Sequence, residues 1–190
     1  MSAISRATTR TAVLADVIPG SRVRDVALVG LHATAIALSA QVAFPLPGTP
    51  ILVTGQTFVV LLGAAALGSA RASSGALLFA LLGLTGLPLF AHASGVSLGY
   101  IAGFVLASAV VGTLARRGWV DTAPRAAVSM IVGNLAIYLL GVPVVALVMG
   151  VGVLEAITLG VVPFLVGDAA KIALATVILP FVQRAVADRQ

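Results

Sequence analysis

Apolar residues run in long blocks along this chain, and most polar residues fall in the gaps between them. Six blocks can be drawn, at about Val26–Ala43, Thr54–Ala70, Ala72–Ala91, Val96–Ala115, Pro124–Met149 and Val162–Val182. A helix needs roughly 20 apolar residues to cross a bilayer, with about 17–25 tolerated. Each block therefore predicts a transmembrane helix. The second block sits at the short limit. The fifth is long and holds Gly141 and Pro143, which predict a kink or an early end.

The gaps carry the orientation. Arg6, Arg10, Arg22 and Arg24 precede the first block, and Arg71 lies between the second and third. Arg116, Arg117 and Arg125 lie between the fourth and fifth, and Arg184 and Arg189 follow the sixth. The alternate gaps, around "FPLPGTPILV", "HASG" and "GVGVLE", hold neither Lys nor Arg. The positive-inside rule then puts both termini in the cytoplasm and these three gaps outside. The expected organisation is a cytoplasmic tail over residues 1–25, a six-helix membrane domain over 26–182 and a second tail over 183–190. The first tail has no apolar stretch of signal-peptide type, so no cleavage is expected.

Composition supports this all-α, polytopic reading. Of 190 residues, 60% are hydrophobic and 9% are charged, against about a quarter charged in a soluble domain. The net charge of +5 comes from arginines at block ends rather than from a patch. Anionic lipid headgroups explain it better than nucleic acid does. There is no cysteine, which excludes disulfides and thiolate chemistry.

The first outer gap, "FPLPGTPILVTGQT", is stiffened by three prolines. Two readings stay open for it, a lid over the bundle or a plain connector.

The sixth block contains the sharpest anomaly. Asp168 and Lys171, the latter the only lysine among eleven basic residues, lie three apart inside an apolar run. Positions three apart share a helix face and can touch. Pro163 suits a first helical turn, which predicts Asp168 about two turns below the outer surface. A charge near the bilayer centre costs about 2.5–3.5 kcal/mol on insertion scales. An internal helix lock is the plain explanation, but an apolar pair packs as well or better. A functional pair is the stronger reading. Tyr100, Gln56 and, deeper, Asn134 fall at compatible depths, with Tyr138 one turn from Asn134. Apolar walls with a few placed polar groups are what a solute pocket needs.

Other patterns carry less. Gly30, Ala33, Ala37 and Ala40 form a small-residue stripe, as do Gly95, Gly99, Gly103 and Ala107. Such stripes let backbones approach closely. The second reads as packing within the chain, and the first is also open to use as an outward docking face. His32 has no ligand partner at helical spacing, so no metal site is expected. No phosphate-binding G-x-x-x-x-G-K-[ST] loop is present, and no nucleophile dyad is recognisable.

In order, "PLPGTPILVTGQT", "GAAALG", "GLTGLPLF", "LGYIAGF", "GNLAIYLLGVP" and "VPFLVGDAAKIALA" resemble the signature of the BioY family. Those proteins are the biotin-binding membrane subunits (S components) of energy-coupling-factor transporters. The resemblance spans about Ala33–Leu179. It differs at Ile51-Leu52, where the family has Val-Pro, and at Leu98, where it has Gly. It implies a six-helix biotin-binding subunit in the cytoplasmic membrane, without cofactor or catalysis. Asp168 and Lys171 of the G-D-x-x-K motif, and Tyr100, map to the family's biotin site. Ala33 and Ala37 resemble the contact for the transmembrane coupling subunit. A pair of ABC-type ATPases would supply the energy. Residue chemistry alone leaves open a subunit for another vitamin, a membrane enzyme using Asp168 and Lys171, or a helix lock.

Overall fold

The computed structural model describes residues 22–87 and 95–187, with side chains through Leu179. Residues 1–21 of the expected N-terminal tail, the end of the third block and the following His92, and the side chains of Arg184 and Arg189 lie outside the described residues. Seven helices and a small hairpin follow in order: α1 (Arg22–Ala40), β1 (Ala43–Phe44), β2 (Val53–Thr54), α2 (Gln56–Leu67), α3 (Ser69–Leu84), α4 (Leu98–Ala115), α5 (Ala123–Met149), α6 (Val153–Gly160) and α7 (Leu165–Ala187). One-turn 3₁₀ segments, Gly95–Ser97 and Val162–Phe164, lead into α4 and α7.

Among the described residues, four stretches are long and apolar enough to cross a membrane: Arg22–Ala40, Gly95–Ala115, Ala123–Met149 and Val153–Leu179. The last joins α6 to α7. At 1.5 Å per residue, the twelve residues of α2 span about 18 Å, well short of a bilayer core of about 30 Å. The protein is a mostly helical, multi-pass membrane protein.

Several boundaries differ from the sequence expectation. Arg22–Asp25, the end of the expected tail, are already helical in α1. Arg71 is in the first turn of α3, not in a loop, because Gly68 alone links α2 to α3 at φ 79°. Helix α5 passes through Pro143 without ending and stops at Gly150, which takes the left-handed cap conformation. Proline there removes one hydrogen bond to the carbonyl four residues back, and the helix continues around it. The "GVGVLE" gap is not a simple turn. It opens helix α6.

Packing follows small residues rather than amphipathic stripes, as expected where lipid replaces water around the bundle. A Cβ built on Gly99 would lie 2.5 Å from the carbonyl oxygen of Leu140, and one on Gly103 would lie 2.8 Å from the Cα of Ile137. Glycine is what lets α4 rest directly on the α5 backbone. The other stripe also turns inward. Ala33 and Ala37 are only 6% and 9% exposed and belong to the main core with Ile36, Phe79 and Val111. Their side chains pack within the chain, in the core that α1 shares with α2 and α3. The neighbouring His32 is buried with its ring against Gly63 of α2 and Gly75 of α3.

Candidate functional site

At the hairpin end of the bundle a cavity, partly open to the surroundings, lies between α2, α4, α5 and α7. The hairpin supplies its roof. β1 pairs antiparallel with β2, and the intervening loop folds Ile51 and Leu52 onto the cavity. Ile51 is buried against Val96 and Phe164, and its N–H donates to Thr49 Oγ1 at 3.1 Å. Of the two readings of this loop, the structure selects the lid.

Below the hairpin, Thr54 turns the chain into α2. Its Oγ1 accepts from the backbone N–H of Gln56 at 3.3 Å and donates to Gln56 Oε1 at 3.1 Å. The Gln56 amide nitrogen keeps its donors for the cavity it lines. Tyr100 and Phe104, one turn apart on α4, form a wall. Asn134, Ile137 and Tyr138 project from α5. Asn134 is buried, and its amide makes no hydrogen bond recorded among the described residues.

Asp168 and Lys171 form the polar focus. Because Pro163 sits in a 3₁₀ turn, α7 begins only at Leu165 and Asp168 falls in its first turn. This is shallower along the helix than two full turns. It brings the carboxylate to the positive end of the helix dipole, which favours an anion. Asp168 is 5% exposed. One carboxylate oxygen, Oδ2, accepts a hydrogen bond from Tyr138 Oη. The other, Oδ1, lies 3.5 Å from Lys171 Nζ. Lys171 makes its shorter bond elsewhere, donating to Thr57 Oγ1 at 2.8 Å.

The five residues singled out from the sequence, Asp168, Lys171, Tyr100, Gln56 and Asn134, all line this one cavity. Tyr100 also makes contacts that the sequence does not show. Its hydroxyl donates to the Gly160 carbonyl at 2.7 Å, tying α4 to the end of α6. Its ring meets Tyr138 edge-on, with centroids 6.3 Å apart. A Cβ on Gly141 would lie 2.7–2.8 Å from that ring, so glycine there makes the slot that holds it. Tyr100 presents a ring to the cavity, not a free hydroxyl. Sequence reasoning did not select Thr57 and Tyr138 as site residues. Tyr138 did carry a signal, one helical turn from Asn134 on the same face. Thr57 had none beyond its place at the start of α2.

An apolar cavity roofed by a hairpin, with an acid, a base and two amides inside a helical bundle, defines a solute-binding membrane protein. The sequence profile of the BioY family matches residues 8–188, and the chain belongs to that family. It is 32% identical over 164 residues to a probable biotin transporter BioY of Pyrococcus horikoshii, covering 83% of this chain and 94% of the relative. It is also 32% identical over 162 residues to the biotin transporter BioY of Thermotoga maritima, covering 82% and 93%. The fold is similar to the crystal structure of the S-component for biotin from an ECF-type ABC transporter, with a TM-score of 0.73 and 16% identity. That match covers 86% of this chain and 92% of the other.

Proposed function

We propose that this chain is the biotin-binding membrane subunit of an ECF-type uptake transporter. In this reading it crosses the cytoplasmic membrane six times, with α6 lying at the outer face and both termini in the cytoplasm. Every arginine gap then falls inside, and the cavity under the hairpin opens outward. Membership of the BioY family supports biotin as the solute. The observation that carries the binding role is the charged pair at the focus of an apolar cavity.

Biotin offers a ureido ring with two N–H donors and a carbonyl, an apolar sulfur ring and a carboxylate. Asp168 accepts from a ureido N–H, and Lys171 donates to an acceptor on the ligand. Phe104, Ile137 and the tyrosine rings pack against the apolar rings. The Gln56 and Asn134 amides supply the remaining polar contacts. The hairpin closes over the bound ligand. The chain performs capture, not chemistry. Net uptake requires a transmembrane coupling subunit and ABC-type ATPases, since the chain carries no phosphate-binding loop of its own. Ala33 and Ala37 reach such a partner only through α1 as a whole, because their side chains are buried.

Calorimetric titration of the detergent-purified chain tests this. The expected result is near one-to-one binding of biotin, with no heat from riboflavin or thiamine. Asp168→Asn and Lys171→Ala should each weaken it at least about tenfold, because a buried charged hydrogen bond contributes about 1.5–3 kcal/mol. A folded sample that ignores biotin, or two variants that bind as tightly as the parent, would refute the assignment.

A further inference from the structure

The ion pair inside the cavity is longer than it should be if left to itself. A charge-assisted N–H···O contact settles at about 2.7–2.9 Å, and attraction between the two charges grows as water is removed. Yet Lys171 Nζ and Asp168 Oδ1 stand 3.5 Å apart in a site where the carboxylate is almost wholly buried. Each partner instead makes its close contact with a neutral hydroxyl on the far side. Tyr138 of α5 donates to Asp168 Oδ2, and Thr57 of α2 accepts from Lys171 at 2.8 Å. The two hydroxyls come from different helices, neither of them α7. Tyr138 is in turn fixed by the edge-on contact with Tyr100, whose hydroxyl is held by Gly160.

We infer that Tyr138 and Thr57 are positioning residues that hold the Asp168–Lys171 pair open, ready for a ligand presenting an N–H donor beside a carbonyl acceptor. The inference rests on the binding role proposed above and deepens it. It assigns specificity for the donor–acceptor edge of a cyclic urea or amide to two residues outside the charged pair. A site whose acid and base have closed on each other must break that contact before binding. A site held open does not, and this is the advantage of preorganisation. Removing either hydroxyl lets the pair close and hide the groups the ligand needs. The loss falls on ligands that use the edge and spares those that cannot.

The experiment compares the parent chain with Tyr138→Phe, Thr57→Val, Thr57→Ser and the Phe/Val double variant. Each is titrated with biotin and with a biotin analogue methylated on a ureido nitrogen, and its unliganded melting temperature is recorded. Tyr138→Phe and Thr57→Val should each weaken biotin roughly tenfold while changing analogue binding little, so discrimination falls. Thr57→Ser should bind like the parent. The double variant should lose less than the product of the single losses, since a pair already closed has little more to lose. Melting temperatures should hold. Equal losses for both ligands with lowered melting would mean the hydroxyls only brace the fold, and would overturn the inference. So would undiminished biotin binding in both single variants. Asp168→Asn is the control that separates the two levels. If it weakens biotin while Tyr138→Phe and Thr57→Val do not, the positioning role alone fails. If it too binds like the parent, the site beneath it fails.

Discussion

Among the described residues, the acid–base pairs at Asp25 and at Asp168 are built in opposite ways. At the arginine end of the bundle, Arg71 Nε closes on Asp25 Oδ1 at 3.0 Å, and Arg24 Nη2 approaches the same oxygen at 3.3 Å. The Asp25 side chain is 49% exposed. In the cavity, Asp168 is shut away from solvent and Lys171 stands off at 3.5 Å. The pair whose carboxylate meets water is shut, and the pair whose carboxylate is buried is open. Exposed pairs contribute little to stability, so the first is a tie between α1 and α3. Buried pairs rarely repay their desolvation, and one held open gives up part of its attraction as well. An arrangement so poor for stability is best explained by what the gap admits.

The largest effect should come from breaking the buried pair on one side only. Lys171→Met leaves the Asp168 carboxylate buried without its cation. Removing one member of such a pair destabilises by about 3–5 kcal/mol. Thermal unfolding in detergent should show a large drop, and biotin binding should be lost. A variant that melts like the parent would mean that Asp168 does not depend on Lys171, and the contrast between the pairs would collapse.

A smaller loss should follow from disturbing the frame that carries the cavity. In Gly103→Ala the new methyl meets the Ile137 backbone at 2.8 Å, and a helix backbone cannot swing aside as a side chain can. Overpacking of this kind costs about 1–3 kcal/mol. Since Ile137 lines the cavity between Asn134 and Tyr138, biotin affinity should fall along with stability. Loss of stability with affinity intact would show that the α4–α5 seam and the binding wall are mechanically separate.

How much of this the sequence disclosed depended on whether a feature was periodic. The helices were legible because apolar blocks and arginine gaps repeat on the scale of a bilayer. Asp168 and Lys171 were legible because three residues is a helical spacing. The open gap between them was not, because it is set by Thr57, 114 positions away, and by Tyr138, 30 positions away. No local rule links residues that far apart. The hydrogen bond of Tyr100 was not legible, since only the folded chain brings the Gly160 carbonyl to its hydroxyl. Helix α6 was missed because eight residues between glycines are too few to stand out as a block. For Ala33 and Ala37, a small-residue stripe says that something packs closely there, but not whether it is the chain itself or a partner.

The smallest effect should come from the closed pair. Asp25→Asn removes the charge but keeps a side chain that accepts from the same arginines, and water reaches whatever is left unpaired. The melting temperature should fall far less than in Lys171→Met. Biotin affinity should not change, because the pair ties α1 to α3 at the end of the bundle away from the cavity. Parallel melting curves and titrations of the two variants decide the matter. If Asp25→Asn destabilises as much as Lys171→Met, exposure is not what separates the pairs. If it weakens biotin, the arginine end and the cavity are coupled through α1 and α3, and the tie is part of the binding machinery after all.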